Sequence, residues 1–132
     1  MMAANNADFT LVFHYLSQLS AQPSEKDNDI RRLFDDPAQF DDWAVKWRER
    51  AGEEMLTDKL RQAGMQSVNP VYIPRNHQIE AAIRAAEDQG DFSVFHALHE
   101  VLQRPFSWQE GKDRYMQPPE PDEVVRQTFC GT

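Results

Sequence analysis

The sequence contains a single cysteine, Cys130, among its 132 residues. One cysteine excludes a disulfide within the chain, and with it the disulfide-stabilised scaffolds of small secreted proteins. Basic residues are also scarce, with 14 Lys and Arg against 22 Asp and Glu and a net charge of −8. Because binding to phosphate groups requires a basic face, this balance argues against nucleic acid and against an anionic membrane surface as partners. No apolar run approaches the roughly 20 residues that span a bilayer and the N-terminus lacks signal-peptide features, so we expect a cytoplasmic protein.

Glycine is equally rare, and its five residues are scattered singly along the chain. They cannot form the glycine-rich loop that holds nucleotide phosphates, and the sequence has no Gly-x-Ser-x-Gly or His-Glu-x-x-His motif. His96 and His99 lie three residues apart with Glu100 beside them, a spacing that also occurs at metal sites. The same residues suit the polar edge of a packed helix, which is the commoner role. We therefore assign no catalytic residue, no metal site and no cofactor to this chain.

Amphipathic segments make up most of the chain. Apolar residues recur at helical spacing in five segments, which predicts an all-α bundle of about five short helices. The first helices fall within residues 7–64, and a helical hairpin falls within residues 77–104. Four side chains stand where N-terminal caps are expected, and two glycines stand at expected helix ends. The caps are Asp8, Asp36 with Pro37 after it, Asn76 and Asp91, and the glycines are Gly64 and Gly90. A further helical turn is expected at residues 30–34.

Two segments do not show helical periodicity. Residues 65–76 contain Pro70 and Pro74 with β-branched residues between them, which predicts an extended connector because proline favours extended geometry in the preceding residue. Residues 105–132 contain Gly111 and three prolines within four positions, from Pro118 to Pro121. These residues make a long helix improbable, so the sequence predicts an irregular C-terminal tail.

Several of these segments resemble the C-terminal part of the selenoprotein O (SelO) family. The resemblance begins with the run Asn69-Pro70-Val71-Tyr72-Ile73-Pro74-Arg75-Asn76-His77. It continues through Glu80–Ile83, Gly90–Phe92, Leu98 with Leu102, Pro105-Phe106, Tyr115, Pro118-Pro119 and the final Thr128–Thr132. Asp8-Phe9-Thr10 and the helix with Phe40, Trp43 and Trp47-Arg48 also fit, so the resemblance covers nearly the whole chain. It singles out Asn69, Pro70, Arg75 and Asn76 as structural or interface residues.

The resemblance implies that this chain is one part of a larger protein with a kinase-like fold. Members of the family use ATP and Mg²⁺ to transfer AMP to hydroxyl groups of protein substrates. Their nucleotide-binding lysine, metal-binding Asn and Asp, and catalytic base lie in motifs upstream of the matched part, and none has a counterpart here. The expected partners are therefore the missing kinase-like portion and the protein substrates of the whole protein. The chain alone is expected to be inactive.

Cys130 takes the position third from the C-terminus that selenocysteine occupies in some members, which makes it a redox candidate by resemblance. A disulfide would then require a cysteine in the missing catalytic part. Without the resemblance, the sequence is equally compatible with a different role for Cys130, in which it packs behind Phe129 as a small apolar side chain. For the whole chain, the alternative to a SelO-like region is a free-standing acidic helical module that binds a partner helix or peptide.

Overall fold

The structure is a computed structural model that describes residues 1–128, and over these residues it is helical with no β-strand. The α-helices are α1 (Phe9–Leu16), α2 (Asp27–Arg31), α3 (Pro37–Glu53), α4 (Asp58–Gln66), α5 (Asn76–Gln89) and α6 (Ser93–Leu102). Two short 3-10 helices cover Ala3–Asn5 and Asp113–Tyr115. The predicted all-α fold class is confirmed. The chain divides into two compact units, with residues 1–71 in the first and residues from 72 onward in the second.

Three helix boundaries lie where capping chemistry predicts them. The Asp8 carboxylate accepts a hydrogen bond from the Leu11 backbone N–H at 2.8 Å, so it caps α1. Asp36 accepts from Ala38 N–H at 3.2 Å and Pro37 is the first residue of α3, where its missing N–H costs no hydrogen bond. Gly90 ends α5 with a φ of 64°, a left-handed conformation that glycine adopts without steric cost.

Two of the expected N-terminal caps are displaced by one position. Asn76 was expected to cap α5 but is its first residue, because Arg75 still has extended geometry and its carbonyl accepts from Gln78 N–H. Asp91 accepts from Ser93 N–H at 2.8 Å, but the residue that directly precedes α6 is Phe92. In both places the polar side chain still lies within two residues of the first helical residue.

Two other expectations about helix position are wrong. α4 does not end at Gly64 but continues to Gln66, whose side chain donates to the Ser17 carbonyl at 3.2 Å. Tertiary contacts of the last turn therefore outweigh the preference of glycine for a helix end. The short helix expected at 30–34 instead covers Asp27–Arg31, which places Ile30 in the core with no exposed surface.

The first unit surrounds a core formed where α1, α2 and α3 meet. Its buried residues are Val12, Leu16, Leu19, Ile30, Phe34, Phe40 and Ala44. Trp43 and Trp47 pack against this cluster, and their rings stack at 6.2 Å as residues four apart on one helix. The two tryptophans thus extend the core, as the sequence indicates. An ion pair of 2.7 Å between Arg48 and Asp27 ties α3 to α2 at the edge of the core.

The second unit is built on α5 and α6, which pack against each other. Ala82, Leu98 and Val101 are buried from the helices, and Tyr115 and Met116 are buried from the segment that follows. From the end of α6 to residue 128 the chain is irregular except for its short 3-10 helix, as expected, and the first part of this segment contributes to the packing of the unit. Within residues 1–128 no helix combines the length and apolar character needed to cross a membrane.

Candidate docking surface

The connector expected at residues 65–76 is shorter in the structure, because Met65 and Gln66 belong to α4 and Asn76 begins α5. Asn69 lies within the connector and fixes the end of α4 in the first unit. Its side-chain amide donates to the Met65 carbonyl at 2.9 Å and to the Ser17 hydroxyl at 3.3 Å. Its backbone N–H also donates to the Met65 carbonyl, at 3.0 Å. Pro70 follows and is half-buried. These contacts hold Asn69 to the last turn of α4 and to Ser17, which directly follows α1.

Arg75 and Asn76 belong to the second unit, so the four residues singled out by sequence are divided between the two units. Arg75 is buried at the start of α5, whereas Asn76 is exposed. Cys130, the redox candidate, lies outside the described residues.

A buried hydrogen-bond network, which sequence analysis missed, joins the connector to the segment after α6. The Tyr72 hydroxyl accepts from Gln109 N–H at 2.9 Å and donates to the Gln109 carbonyl at 3.3 Å. The Gln109 side-chain amide in turn donates to the carbonyls of Val101 at 2.9 Å and Arg104 at 3.3 Å. Tyr72 N–H donates to the Pro105 carbonyl at 3.1 Å, which completes the attachment of the connector to this segment. A tyrosine between two prolines is the only sequence signal for this network.

An apolar groove of about 460 Å³ lies between α5 and α6. Its lining is Pro74, Ile79, Ala82, Ile83, Ala86, Phe92, Phe95, Leu98, His99 and Leu102. Phe92 and Phe95 are 59% and 50% exposed, and Ile83 is exposed as well. The Phe95 ring stacks on His99 at 5.9 Å, so the aromatic side chains form a continuous surface along α6. Contiguous exposed apolar surface of this kind marks interaction sites.

The polar groups near the groove make local hydrogen bonds. The hydroxyl and backbone N–H of Ser93 hydrogen-bond to the Asp91 carboxylate and lower its pKa below the usual 3.8. The His99 imidazole lies 3.1 Å from the side-chain amide of Gln103. Among residues 1–128 no group of three or more His, Cys, Asp or Glu side chains is arranged to hold a metal ion. The arrangement is suited to binding an apolar partner.

Comparisons with known proteins give one consistent family. The family described as protein adenylyltransferase SelO matches residues 1–103 of this chain. The protein nucleotidyltransferase YdiU of Rhodopseudomonas palustris strain BisB5 is 55% identical over 131 residues, and that of strain CGA009 is 50% identical over 131 residues. The YdiU protein of Bradyrhizobium sp. strain BTAi1 is also 50% identical. Each match covers 99% of this chain but only 26% of the relative, so the chain spans about a quarter of the length of these relatives.

Proposed function

Because the chain belongs to the SelO family, we propose that it is the C-terminal helical region of a protein adenylyltransferase whose catalytic, kinase-like part lies outside this sequence. The observation that carries the proposal is the match over 99% of this chain to only 26% of nucleotidyltransferase relatives. The described residues are consistent with it, because they contain an exposed apolar groove that a partner could fill. The whole protein would transfer AMP from ATP, with Mg²⁺, to hydroxyl groups of protein substrates.

In this proposal the chain supplies structure and a docking surface, and catalysis is located elsewhere. The residues that hold ATP and Mg²⁺ would come from the kinase-like part. The partner of the chain is that part, in a cytoplasmic compartment whose reducing conditions suit a chain with one cysteine. The protein substrates would be recognised by the assembled protein.

The test is a chimera in which this chain replaces the 131 matched residues of the BisB5 relative. We expect the chimera to transfer AMP from labelled ATP to protein, and we expect this chain alone to show neither transfer nor ATP binding. A folded chimera without transfer, beside an active natural relative, would contradict the proposed role. Firm ATP binding by this chain alone would contradict the assignment of the nucleotide site to the missing part.

We also propose Cys130 as a redox-sensitive residue of the assembled protein. A disulfide forms when two thiols lose two protons and two electrons to an oxidant such as hydrogen peroxide. Since the chain has one cysteine, the second thiol must belong to the kinase-like part. In the chimera, Cys130→Ser should abolish the dependence of AMP transfer on dithiothreitol. An unchanged dependence would show that Cys130 is not the responsive residue.

The acidic interaction module remains a second candidate, favoured by the exposed groove between α5 and α6. The DNA that encodes the residues before Met1 separates the two candidates. Kinase-like motifs in the same reading frame support the adenylyltransferase region, whereas an unrelated reading frame supports the free-standing module.

A further inference from the structure

The groove between α5 and α6 leaves large apolar side chains exposed to water. No other part of the second unit that the structure describes covers them. Phe92, Phe95 and Ile83 line it and remain exposed, although Leu98 and Ala82 beside them are buried. Exposed apolar area is unfavourable in water, and covering it with a complementary apolar surface recovers free energy. The groove is therefore the surface of this unit from which a docked partner would gain most.

The charges on the same two helices and their connecting turn restrict the chemistry of that partner. Five carboxylates belong to these helices and their turn, although none of them lines the groove itself, and they are Glu80, Glu87, Asp88, Asp91 and Glu100. Arg84 is the single guanidinium in this stretch, and it lies 2.9 Å from Glu80 and 3.7 Å from Glu87. An apolar surface with this excess of carboxylates complements one that carries Lys and Arg beside its apolar residues. At pH 7, where the chain carries a net charge of −8, a second copy of this chain would be repelled.

The comparisons show how much of a larger relative lies outside this chain. The family match covers residues 1–103 and so includes every residue that lines the groove. About three quarters of each relative lies outside the matched part. We propose that the groove is filled by an amphipathic helix from that remaining part of the protein, with apolar side chains in the groove and Lys or Arg beside the carboxylates of α5 and α6. This inference rests on the proposed function, since it needs a larger SelO protein.

Site-specific photocrosslinking in the full-length chimera tests the inference directly. p-Benzoylphenylalanine replaces Phe95 in one variant and Phe106 in a control, because Phe106 is 48% exposed but does not line the groove. We expect the Phe95 variant to crosslink within one molecule to a peptide outside this chain that carries Lys or Arg next to apolar residues. The Phe106 variant should not label that peptide. A crosslink to a second molecule, to a co-purifying protein or to nothing would overturn the proposal.

A charge reversal tests the predicted basic character of the partner segment through the yield of the same crosslink. Glu87→Lys in the Phe95 variant should reduce the yield of the intramolecular crosslink several-fold, because it places like charges together. Glu110→Lys is the matched control, since Glu110 is exposed but lies outside α5 and α6. Equal yields in the two variants would contradict a basic partner segment.

The crosslink is read by mass spectrometry and does not require catalysis, so the two proposals fail separately. A folded chimera that crosslinks as expected without AMP transfer would refute the proposed activity and retain the groove contact. A chimera that transfers AMP without the crosslink would retain the activity and refute the contact.

Discussion

The Tyr72 hydroxyl group is hydrogen-bonded to both backbone groups of Gln109 in the second unit. Replacement by Phe keeps the ring in the core but leaves the buried Gln109 N–H without its partner. Because an unsatisfied buried donor is costly, we expect Tyr72→Phe to lower the free energy of unfolding by about 1–3 kcal/mol. Urea denaturation followed by circular dichroism at a helical wavelength measures the change.

Tyr115 is the matched control for this substitution, because it is buried in the same unit and its hydroxyl makes no hydrogen bond within the described residues. Tyr115→Phe should change the free energy of unfolding by less than about 0.5 kcal/mol. A loss of equal size in both variants would show that the Tyr72 hydroxyl has no special role.

His14 makes stability depend on pH between neutral and mildly acidic conditions. Burial lowers its pKa below the usual 6.5, since the surrounding protein disfavours the charged imidazolium. In the unfolded chain the imidazole takes up a proton as the pH falls through about 6.5, whereas the folded state resists protonation until lower pH. The contribution of neutral His14 to stability is therefore complete above 6.5 and is lost progressively as the pH falls toward its folded pKa.

The comparison of His14→Gln with the natural chain tests whether His14 lowers stability as the pH falls. The loss of stability between pH 7 and pH 5 should be smaller in His14→Gln, because glutamine does not titrate. His96→Gln removes an exposed histidine and should keep the full loss. Thermal unfolding at the two pH values measures the difference, and an identical loss in all three proteins would contradict the role of His14.

At the scale of elements, α2 is held to α3 by an ion pair that is largely removed from water. The side chains of Arg48 and Asp27 are only 13% and 15% exposed, and Arg48 also donates to the Ser20 carbonyl at 3.3 Å. Arg48→Met leaves the Asp27 carboxylate nearly buried without its cation, so we expect a loss of about 3–5 kcal/mol in the free energy of unfolding.

The exposed pair between Arg84 and Glu80 on α5 provides the comparison for Arg48. Exposed ion pairs contribute little because water and salt screen them, so Arg84→Met should lower the free energy of unfolding far less than Arg48→Met. Urea unfolding of both variants gives the two values. If the two losses are equal, burial does not determine the contribution of the Arg48 pair.

The elements that the sequence predicts well are those whose signals are local. Asp36-Pro37 begins α3 and Gly90 ends α5 because the chemistry of these boundaries is complete within a few residues. Gly64 misleads because the last turn of α4 is fixed by a hydrogen bond to Ser17, 49 residues away. A local sequence pattern cannot predict a contact between residues so far apart in the chain.

The same distinction applies to the candidate surface. The apolar positions of α5 and α6 are readable as helical stripes, but periodicity alone assigns them to the core. That Phe92 and Phe95 remain exposed depends on which neighbours the folded chain provides. The contact of Tyr72 with Gln109 is invisible for the same reason, since 37 residues separate them.

At the scale of the whole molecule, net charge opposes the attraction between exposed apolar grooves. The chain carries a net charge of −8 at pH 7 and has an isoelectric point near 4.9. Because repulsion weakens as the net charge approaches zero, we expect monomers at pH 7 and association at pH 5 at the same ionic strength. Sedimentation velocity measures the change, and circular dichroism at pH 5 confirms that the associating chains are folded.

The groove between α5 and α6 should be the surface through which the molecules associate at pH 5. Phe92→Ser combined with Phe95→Ser removes its most exposed apolar side chains and should reduce the associated fraction strongly. Phe106→Ser removes an aromatic ring of similar exposure outside the groove and should leave that fraction unchanged. Equal association of both variants would place the contact on another surface. A loss confined to the groove variant would show that charge keeps this surface free at pH 7, where a basic partner segment can still bind it.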